Sequence, residues 1–83
     1  HYGLFFFFAG SCPYCHKFAP TIKDVEQTYG FSVIPVSLDG GNLPEYPNPE
    51  RDNGQAERFH VSQWPAVFLV DPREKKIIPV TFG

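Results

Sequence analysis

Positive charge is scarce in this sequence, and so are long apolar runs; each absence excludes a class of function. Seven Lys and Arg residues stand against nine Asp and Glu residues, which gives a formal net charge of -2 over 83 residues. The sequence offers no basic surface for a phosphate backbone, so we expect no nucleic acid partner. The longest apolar run, Leu4 to Ala9, is far shorter than the roughly 20 residues of a membrane-spanning helix. We therefore expect that this segment is not transmembrane.

Cysteine is also scarce, since the sequence contains only Cys12 and Cys15. A disulfide between them closes so small a loop that it restricts the unfolded chain little, so stability is a poor reason for the pair. A closed zinc site needs four ligands, and this pair would have to recruit His16 or His60. A metal site and an inert disulfide remain alternatives. We expect no metal, and no cofactor other than a redox-active Cys12-Cys15 disulfide.

Apolar and aromatic residues are plentiful by contrast. They make up 42% and 17% of the sequence, with nine Phe, which suits a packed core rather than a disordered chain. The length allows a single domain over 1–83. Hydrophobic periodicity, broken by Gly and Pro, predicts the elements in chain order. They are a strand over 4–9, a helix over 12–29, a strand over 31–38, a short helix over 53–60, and strands over 66–70 and 77–82.

Four residues mark the predicted helix ends. Ser11 is a plausible N-cap for the long helix, and Pro13 fits its first turn, where a missing N–H costs nothing. Gly30 is a suitable terminator for the same helix. Asn53 is the predicted N-cap of the short helix.

The order of these elements predicts the α/β class. The first strand, helix and strand form a right-handed crossover, and the complete set gives a four-stranded mixed sheet with one helix on each face. Pro35 and Pro79 favour edge positions for their strands, because proline cannot donate to a β-ladder. Residues 39–52 hold three Pro and two Gly, and predict an exposed loop that is a candidate partner-binding surface.

The CxxC motif opens the helix that follows the first strand, a context typical of a redox site. The attacking species in thiol-disulfide exchange is a thiolate, which must be stabilised near neutral pH. Cys12 lies where free N–H groups and the positive end of the helix dipole stabilise a negative sulfur. Cys15 lies three residues further on the same side of the helix, within bridging reach, and is the candidate resolving thiol. We expect Cys15 to be shielded, with a pKa near the free value of about 8.5 or above it.

Several neighbouring residues are candidates for the same site. His16 is either a solvated helix residue or a group that tunes the charge on the cysteines. Tyr14 and Trp64 are either ordinary surface aromatics or an apolar platform for an unfolded protein chain. The Trp64-Pro65 bond should be trans on frequency alone, since only about 5 to 6% of X-Pro bonds in folded proteins are cis.

The sequence resembles the thioredoxin superfamily over nearly its whole length. The segment CPYCHKFAP matches the active-site helix of that superfamily, with Pro13 inside the motif and Pro20 at the kink position, and QWPAVFLV matches the segment that carries its cis-proline. With IPVSLDG and DNGQAERFHVSQWPAVFLVDP, the sequence is similar to the periplasmic TraF/TrbB-type thioredoxin-like proteins of F-type conjugative transfer and type IV secretion. The resemblance implies a thioredoxin-like fold, a cis Trp64-Pro65 bond beside Cys12, and substrate binding at Trp64 and Pro65.

Two departures from the superfamily pattern qualify this resemblance. Phe6 stands where thioredoxins carry a buried acid that helps to move protons, which argues against a reductase role. The sequence ends at Gly83, before the last helix of the superfamily, so we expect that helix to be missing and one sheet face to be partly uncovered. The sequence opens at His1 without Met, which favours a trimmed or excised domain.

The leading hypothesis is a thiol-disulfide oxidoreductase, a disulfide isomerase or oxidase that uses Cys12 and Cys15. The resemblance implies protein clients in the bacterial periplasm, among pilus or type IV secretion components, and the redox partner stays unknown. A glutaredoxin-like, glutathione-dependent reductase is an alternative, because CPYC is typical there too, although glutathione-binding features are not evident. A non-enzymatic assembly protein is another alternative, since related conjugation proteins keep the fold without the cysteines. Retention of both cysteines argues against it.

Overall fold

The computed structural model describes residues 2–80, which form one mixed sheet and two helices. The strand order is β3-β2-β1-β4-β5, with β1 at the centre. The strands β1, β2 and β3 run parallel, whereas β4 is antiparallel to β1 and β5 is antiparallel to β4. The elements are β1 Gly3–Phe8, α1 Pro13–Tyr29, β2 Ser32–Ser37, β3 Glu50–Arg51, α2 Gln55–Arg58, β4 Ala66–Asp71 and β5 Lys76–Val80.

The Phe-rich strand β1 is covered on both faces, as its continuous apolar sequence predicts. Side chains alternate along a strand, so even-numbered and odd-numbered residues face opposite layers. Phe5 and Phe7 contact Phe59, which follows α2, with ring centroids 5.0 and 5.4 Å apart. The other face packs on α1, in a buried cluster that includes Leu4, Phe6, Phe8, Cys15, Ala19 and Ile22. The predicted arrangement of one helix on each face is confirmed.

The ends of α1 differ from the sequence prediction at one residue. Cys12, not Ser11, is the N-cap, with an extended backbone at φ -87° and ψ 113°. The hydroxyl of Ser11 instead donates to the carboxylate of Asp39 at 3.1 Å, so it is not available to cap the helix. Pro13 is the first helical residue, as expected. Gly30 ends the helix in the left-handed region at φ 72°, and its N–H donates to the Glu26 carbonyl at 3.0 Å.

The segment 39–52 is not the wholly exposed loop that its Pro and Gly content predicts. Leu43 and Tyr46 are buried and pair with each other, because their apolar side chains reach the core on the α1 side. The ring centroid of Tyr46 lies 5.9 Å from that of Phe6. Glu50–Arg51 adds the fifth strand, so the four-strand prediction missed one short strand.

The short helix α2 also begins later than predicted. Gly54 rather than Asn53 is its N-cap, and no side-chain hydrogen bond caps it. The backbone of Asn53 instead donates to the Gln55 side chain, while Asp52 accepts the Ala56 N–H at 3.1 Å. The side chain that accepts a helix N–H is therefore that of Asp52, the residue before the predicted N-cap Asn53.

The two strand prolines give different outcomes. Pro79 lies in β5, which is an edge strand as expected. Pro35 lies in β2, which is not an edge strand, because β3 pairs with it at Val36 and Ser37. Pro35 precedes this paired stretch, so its missing N–H leaves the short β2–β3 ladder intact. Residues 81 and 82 of the last predicted strand lie outside the described residues.

The α1 side of the sheet is open near the far end of the helix. A cavity of about 340 Å³ lies there, and Ile78 of β5, which pairs with the cavity-lining Leu69, is exposed. The cavity is lined by Leu4, Val25, Tyr29, Phe31, Leu69 and Val80.

Within residues 2–80, neither helix combines the length and apolar character that crossing a membrane requires.

Candidate active site

Cys12 lies in the turn that joins β1 to α1. Its N–H donates to the Ala9 carbonyl at 3.1 Å, and its carbonyl accepts the N–H of His16 at 3.2 Å. Its Sγ accepts the backbone N–H of Cys15 at 3.1 Å. A helix N-terminus and a direct N–H donor both stabilise negative charge on a sulfur at this position. The half-buried Cys12 therefore has the surroundings of an attacking thiol.

Cys15 has the opposite environment, although it is only one turn away. Both cysteines are free thiols in the structure, and Cys15 is fully buried against Phe6, Phe8 and Ala19. Burial, followed by the hydrogen bond with the Cys12 side chain, raises the pKa of Cys15 to about 12. A backbone hydrogen bond with Ala9 acts in the opposite direction. The two sulfurs are thus chemically unequal.

Asp39 holds the turn that precedes Cys12, and the sequence analysis missed it. Its Oδ1 accepts the N–H groups of Gly10 at 2.8 Å and Gly41 at 2.9 Å. Its Oδ2 accepts the N–H of Ser11 at 3.2 Å and the hydroxyl of Ser11 at 3.1 Å. These bonds, that of Gly10 foremost, hold the pKa of Asp39 well below its usual range. A signal existed, because the carboxyl ends of the parallel strands β1 and β2 lie side by side and Asp39 is the second residue after β2.

Two glycines allow the turn and the Asp39 loop to approach closely. A Cβ built on Gly10 would lie 2.6 Å from the Cα of Gly41, closer than two such carbons can approach. Both segments are backbone at this point, so neither can move aside as a flexible side chain would. A side chain at position 10 is therefore incompatible with this arrangement.

His16 holds the same turn from the helix side. Its Nε2 lies 2.7 Å from the carbonyl oxygen of Gly10. A carbonyl only accepts hydrogen bonds, so Nε2 carries the proton and donates. The ring is exposed to solvent, but it is tied to the backbone before Cys12.

The aromatic and proline candidates lie at two places. Tyr14 is 61% exposed on α1 and stacks on Phe18 with ring centroids 6.3 Å apart. Trp64 is 50% exposed, and the Trp64-Pro65 bond is cis, as the resemblance implies. Ala66 pairs with Phe7, so Pro65 lies at the end of β1 that leads to Cys12. Direct contact of Pro65 or Trp64 with Cys12 stays a prediction.

In short, the sequence candidates form one group at the start of α1 and a second group at the start of β4. The first contains Cys12, Pro13, Tyr14, Cys15 and His16, and the second contains Trp64 and Pro65. Within residues 2–80, no three His, Cys, Asp or Glu side chains lie close enough together to hold a metal ion. The site that the described residues build is a dithiol at a helix N-terminus.

A mixed sheet with a CxxC turn after its central strand and a cis-proline before β4 defines a thioredoxin-like protein. The thioredoxin domain of a thiol-disulfide oxidoreductase from Bacteroides vulgatus superposes on the chain with a TM-score of 0.71. The match covers 99% of this chain and 71% of that domain, at 24% sequence identity. It establishes the thioredoxin-like fold.

The sequence comparison then gives the family. The family model of TraF, the F plasmid transfer operon protein, matches residues 1–83, and the chain belongs to this family. Protein TraF of Escherichia coli (strain K12) is 43% identical over 83 residues, which are 100% of this chain and 34% of TraF. Protein TrbB of the same strain is 49% identical over 41 residues, 49% of this chain and 23% of TrbB. The chain thus spans about a third of the length of TraF.

Proposed function

We propose that the chain is a protein disulfide oxidoreductase, an isomerase or oxidase that uses Cys12 and Cys15. Its clients are thiols and disulfides of envelope proteins in conjugative pilus or type IV secretion assembly, in the bacterial periplasm. The inequality of the two sulfurs is the observation that carries this proposal, because Cys12 caps the helix and Cys15 is buried. Membership of the TraF family supports the setting, and a redox pair suits an oxidising compartment.

The first chemical step belongs to Cys12. Its thiolate attacks one sulfur of a client disulfide, forms a Cys12-client bond and breaks the client S–S bond. The released client sulfur leaves as a thiolate and takes a proton from solvent. The N–H of Cys15, which donates to Cys12 Sγ, stabilises the thiolate before attack.

The second step distinguishes isomerisation from net reduction. In isomerisation, a different client thiolate attacks the client sulfur of the mixed disulfide, forms a new client disulfide and frees Cys12 as a thiolate. In reduction, Cys15 loses its proton, attacks Cys12 Sγ and releases the client with two added electrons, while the pair becomes a disulfide. In oxidation, the same steps run in reverse from the Cys12-Cys15 disulfide.

Two surroundings of Cys15 favour isomerisation, which uses Cys12 alone, over net reduction, which also uses Cys15. The pKa of Cys15, raised to about 12, slows the loss of the proton that net reduction needs. Phe6 is fully buried in the same cluster as Cys15, at the position where the resemblance to thioredoxins implies an acid. That position therefore supplies no carboxylate to accept the proton.

Exposed aromatic surface supports an unfolded protein as the client. Tyr14 is two residues after Cys12 in sequence, and Trp64 precedes Pro65 at the same end of the sheet. Exposed rings of this kind bind apolar segments of an extended chain. We expect Tyr14→Ala and Trp64→Ala to weaken client binding more than they change the reaction of the dithiol with glutathione.

The reduction potential tests the proposal directly. The full-length protein is equilibrated with reduced and oxidised glutathione, and the Cys12-Cys15 disulfide is quantified by alkylation and mass. We expect a potential between about -270 mV and about -120 mV, the range from reductants to strong oxidants. A pair that stays reduced in excess oxidised glutathione would overturn the proposal.

A cysteine-free variant separates the chemistry from an assembly role. Cys12→Ser combined with Cys15→Ser should abolish disulfide formation and impair pilus assembly in the cell. Normal pilus assembly by this variant would favour the non-enzymatic alternative.

A further inference from the structure

We propose that Asp39 is a positioning residue for the dithiol: its carboxylate fixes the Gly10–Ser11 turn and thereby keeps Cys12 more reactive than Cys15. The inference rests on the proposed function, because it assigns Asp39 a role in the chemistry of the same pair. Asp39 touches neither client nor reacting sulfur in this role. It acts through the backbone that carries Cys12.

The bonding pattern of the carboxylate supports a positioning role. One oxygen accepts the N–H of Gly10 at 2.8 Å, and the other accepts the N–H and the hydroxyl of Ser11 at 3.2 and 3.1 Å. Both residues just before Cys12 are therefore bound by the same side chain. These donors lie 28 and 29 positions away in sequence, so the carboxylate cross-links the ends of β1 and β2.

The rest of the Asp39 loop is fixed as well, so the cross-link is rigid at both ends. Asp39 Oδ1 also accepts the N–H of Gly41 at 2.9 Å and the hydroxyl of the buried Ser37 at 3.3 Å. Gly41 in turn packs directly on Gly10. The loop thus supports the turn by contact as well as by hydrogen bonds.

Cys12 depends on this turn for its orientation. Its N–H bonds to Ala9 and its sulfur accepts the Cys15 N–H, so both bonds require one setting of the backbone at positions 10 and 11. His16 holds the carbonyl of Gly10 from the other side. Without the carboxylate, this backbone gains freedom, the contact between Cys12 Sγ and the Cys15 N–H weakens, and the helix start opens toward Cys15.

The test measures the ratio of the alkylation rates of Cys12 and Cys15 in the reduced full-length protein at neutral pH. Asp39→Ala should lower this ratio by at least about fivefold, the effect expected when one hydrogen bond to the turn is lost. An unchanged ratio in Asp39→Ala would overturn the inference.

Two milder variants separate positioning from charge and guard against failure to fold. Asp39→Asn keeps an acceptor for Gly10 and Gly41, so its ratio should fall between those of the wild type and Asp39→Ala. Its amide nitrogen cannot accept the two bonds from Ser11, so an Asn variant with the full wild-type ratio would show that neither the charge nor these bonds position Cys12, and would overturn the inference. Ser11→Ala keeps the charge and removes only the hydroxyl bond, and it should lower the ratio slightly in the same direction.

Asp71 provides a matched control. It also accepts backbone N–H groups, from Arg73 at 2.9 Å and Glu74 at 3.4 Å, but it lies at the other end of the sheet. Asp71→Ala should destabilise the protein and leave the alkylation ratio unchanged, and an equal fall in the ratio would overturn the inference. The readout requires no client, so it is independent of the proposed function, which fails instead if the wild type forms no disulfide with glutathione.

Discussion

Two turns of the molecule are fixed by an aspartate, but the two aspartates reach different partners. Asp71 accepts N–H groups two and three residues ahead, so it shapes the turn in which it lies. Asp39 accepts N–H groups from Gly10 and Ser11, far away in sequence, so it joins two segments that only the fold brings together. The same hydrogen-bonding device thus serves a local turn in one case and a long-range contact in the other.

The positions of the two turns give this difference a functional meaning. The strand β4 runs antiparallel to β1, and Val70 pairs with Gly3 at the start of β1. The Asp71 turn therefore lies at the end of the sheet where β1 begins. The Asp39 contact lies at the opposite end, where β1 ends, beside Cys12. We expect changes at the first turn to affect stability alone, and changes at the second to affect stability and thiol chemistry together.

The largest expected effect comes from the cysteines themselves. Cys12→Ser should abolish exchange with a model peptide disulfide, because the attacking sulfur is gone. Cys15→Ser should keep the attack and accumulate a mixed disulfide through Cys12, because the resolving thiol is missing. Non-reducing electrophoresis with mass spectrometry measures both, and Asp71→Ala should react as the wild type does.

Two results would contradict this assignment. Turnover by Cys12→Ser would show that Cys15 can attack from its buried position. Equal trapping through either sulfur would remove the chemical inequality on which the comparison of the two turns depends.

A smaller but still large effect is expected at Gly10. In Gly10→Ala the new Cβ meets the Gly41 backbone at 2.6 Å, so one segment must shift, at a cost of about 1–3 kcal/mol of unfolding free energy. The alkylation ratio of Cys12 to Cys15 should fall as well, because the turn carries Cys12. Denaturant unfolding and alkylation measure the two effects.

Gly54→Ala is the control for this variant. Its φ of +91° disfavours Ala, but nothing lies within 4 Å of the added Cβ, and the position is in the α2 cap. We expect a loss of about 1–2 kcal/mol without a change in the alkylation ratio. A normal ratio in Gly10→Ala would show that the close approach to Gly41 supports the fold only.

The sequence predicts local features of the two turns better than their long-range contacts. The turn that begins at Asp71 follows from the strands predicted over 66–70 and 77–82, because its acceptor and donors are neighbours in the chain. The N-cap of α1 could not be identified from the sequence. Ser11 is a suitable residue type, but its hydroxyl donates to Asp39 instead of capping the helix. The Asp39 contact itself depends on the carboxyl ends of β1 and β2 lying side by side, which no local pattern records.

The burial of residues in segment 39–52 was also not predictable from local sequence. Its Pro and Gly residues correctly indicate turns, but Leu43 and Tyr46 are buried only because the segment folds back on β1 and α1. The central strand was easier to predict, because four consecutive Phe residues must be covered on both faces whatever lies opposite. For the site, CxxC spacing was sufficient to find Cys12 and Cys15. The parallel order of the first two strands indicates only that Asp39 lies nearby, and its bonds to Gly10 and Ser11 required the structure.

The smallest expected effect is a pH dependence that separates the two regions. The folded-state pKa of Cys15 is raised to about 12, whereas an unfolded cysteine titrates near 8.5. Above pH 8.5 the unfolded chain therefore releases a proton that the folded protein keeps, so the unfolding free energy falls as pH rises toward 12. Tyr46 has a raised pKa too, chiefly because of burial, but its contribution begins only near pH 10.

Between pH 8.5 and 10 we thus expect the reduced protein to lose about 1–2 kcal/mol of stability through Cys15, measured by urea unfolding under a reductant. Cys15→Ala should remove most of this slope, because no thiol is left to titrate in the core. Asp71→Ala should lower the unfolding free energy by about 1 kcal/mol at every pH, because the N–H groups of Arg73 and Glu74 lose their acceptor, and it should leave the slope intact. If the unfolding free energy of Cys15→Ala still fell with pH to the same extent, another group would be responsible for the alkaline destabilisation, and its assignment to Cys15 would be wrong. If Asp71→Ala also lost this pH dependence, the two ends of the sheet would be coupled. The Asp71 turn could then no longer be assigned an effect on stability alone.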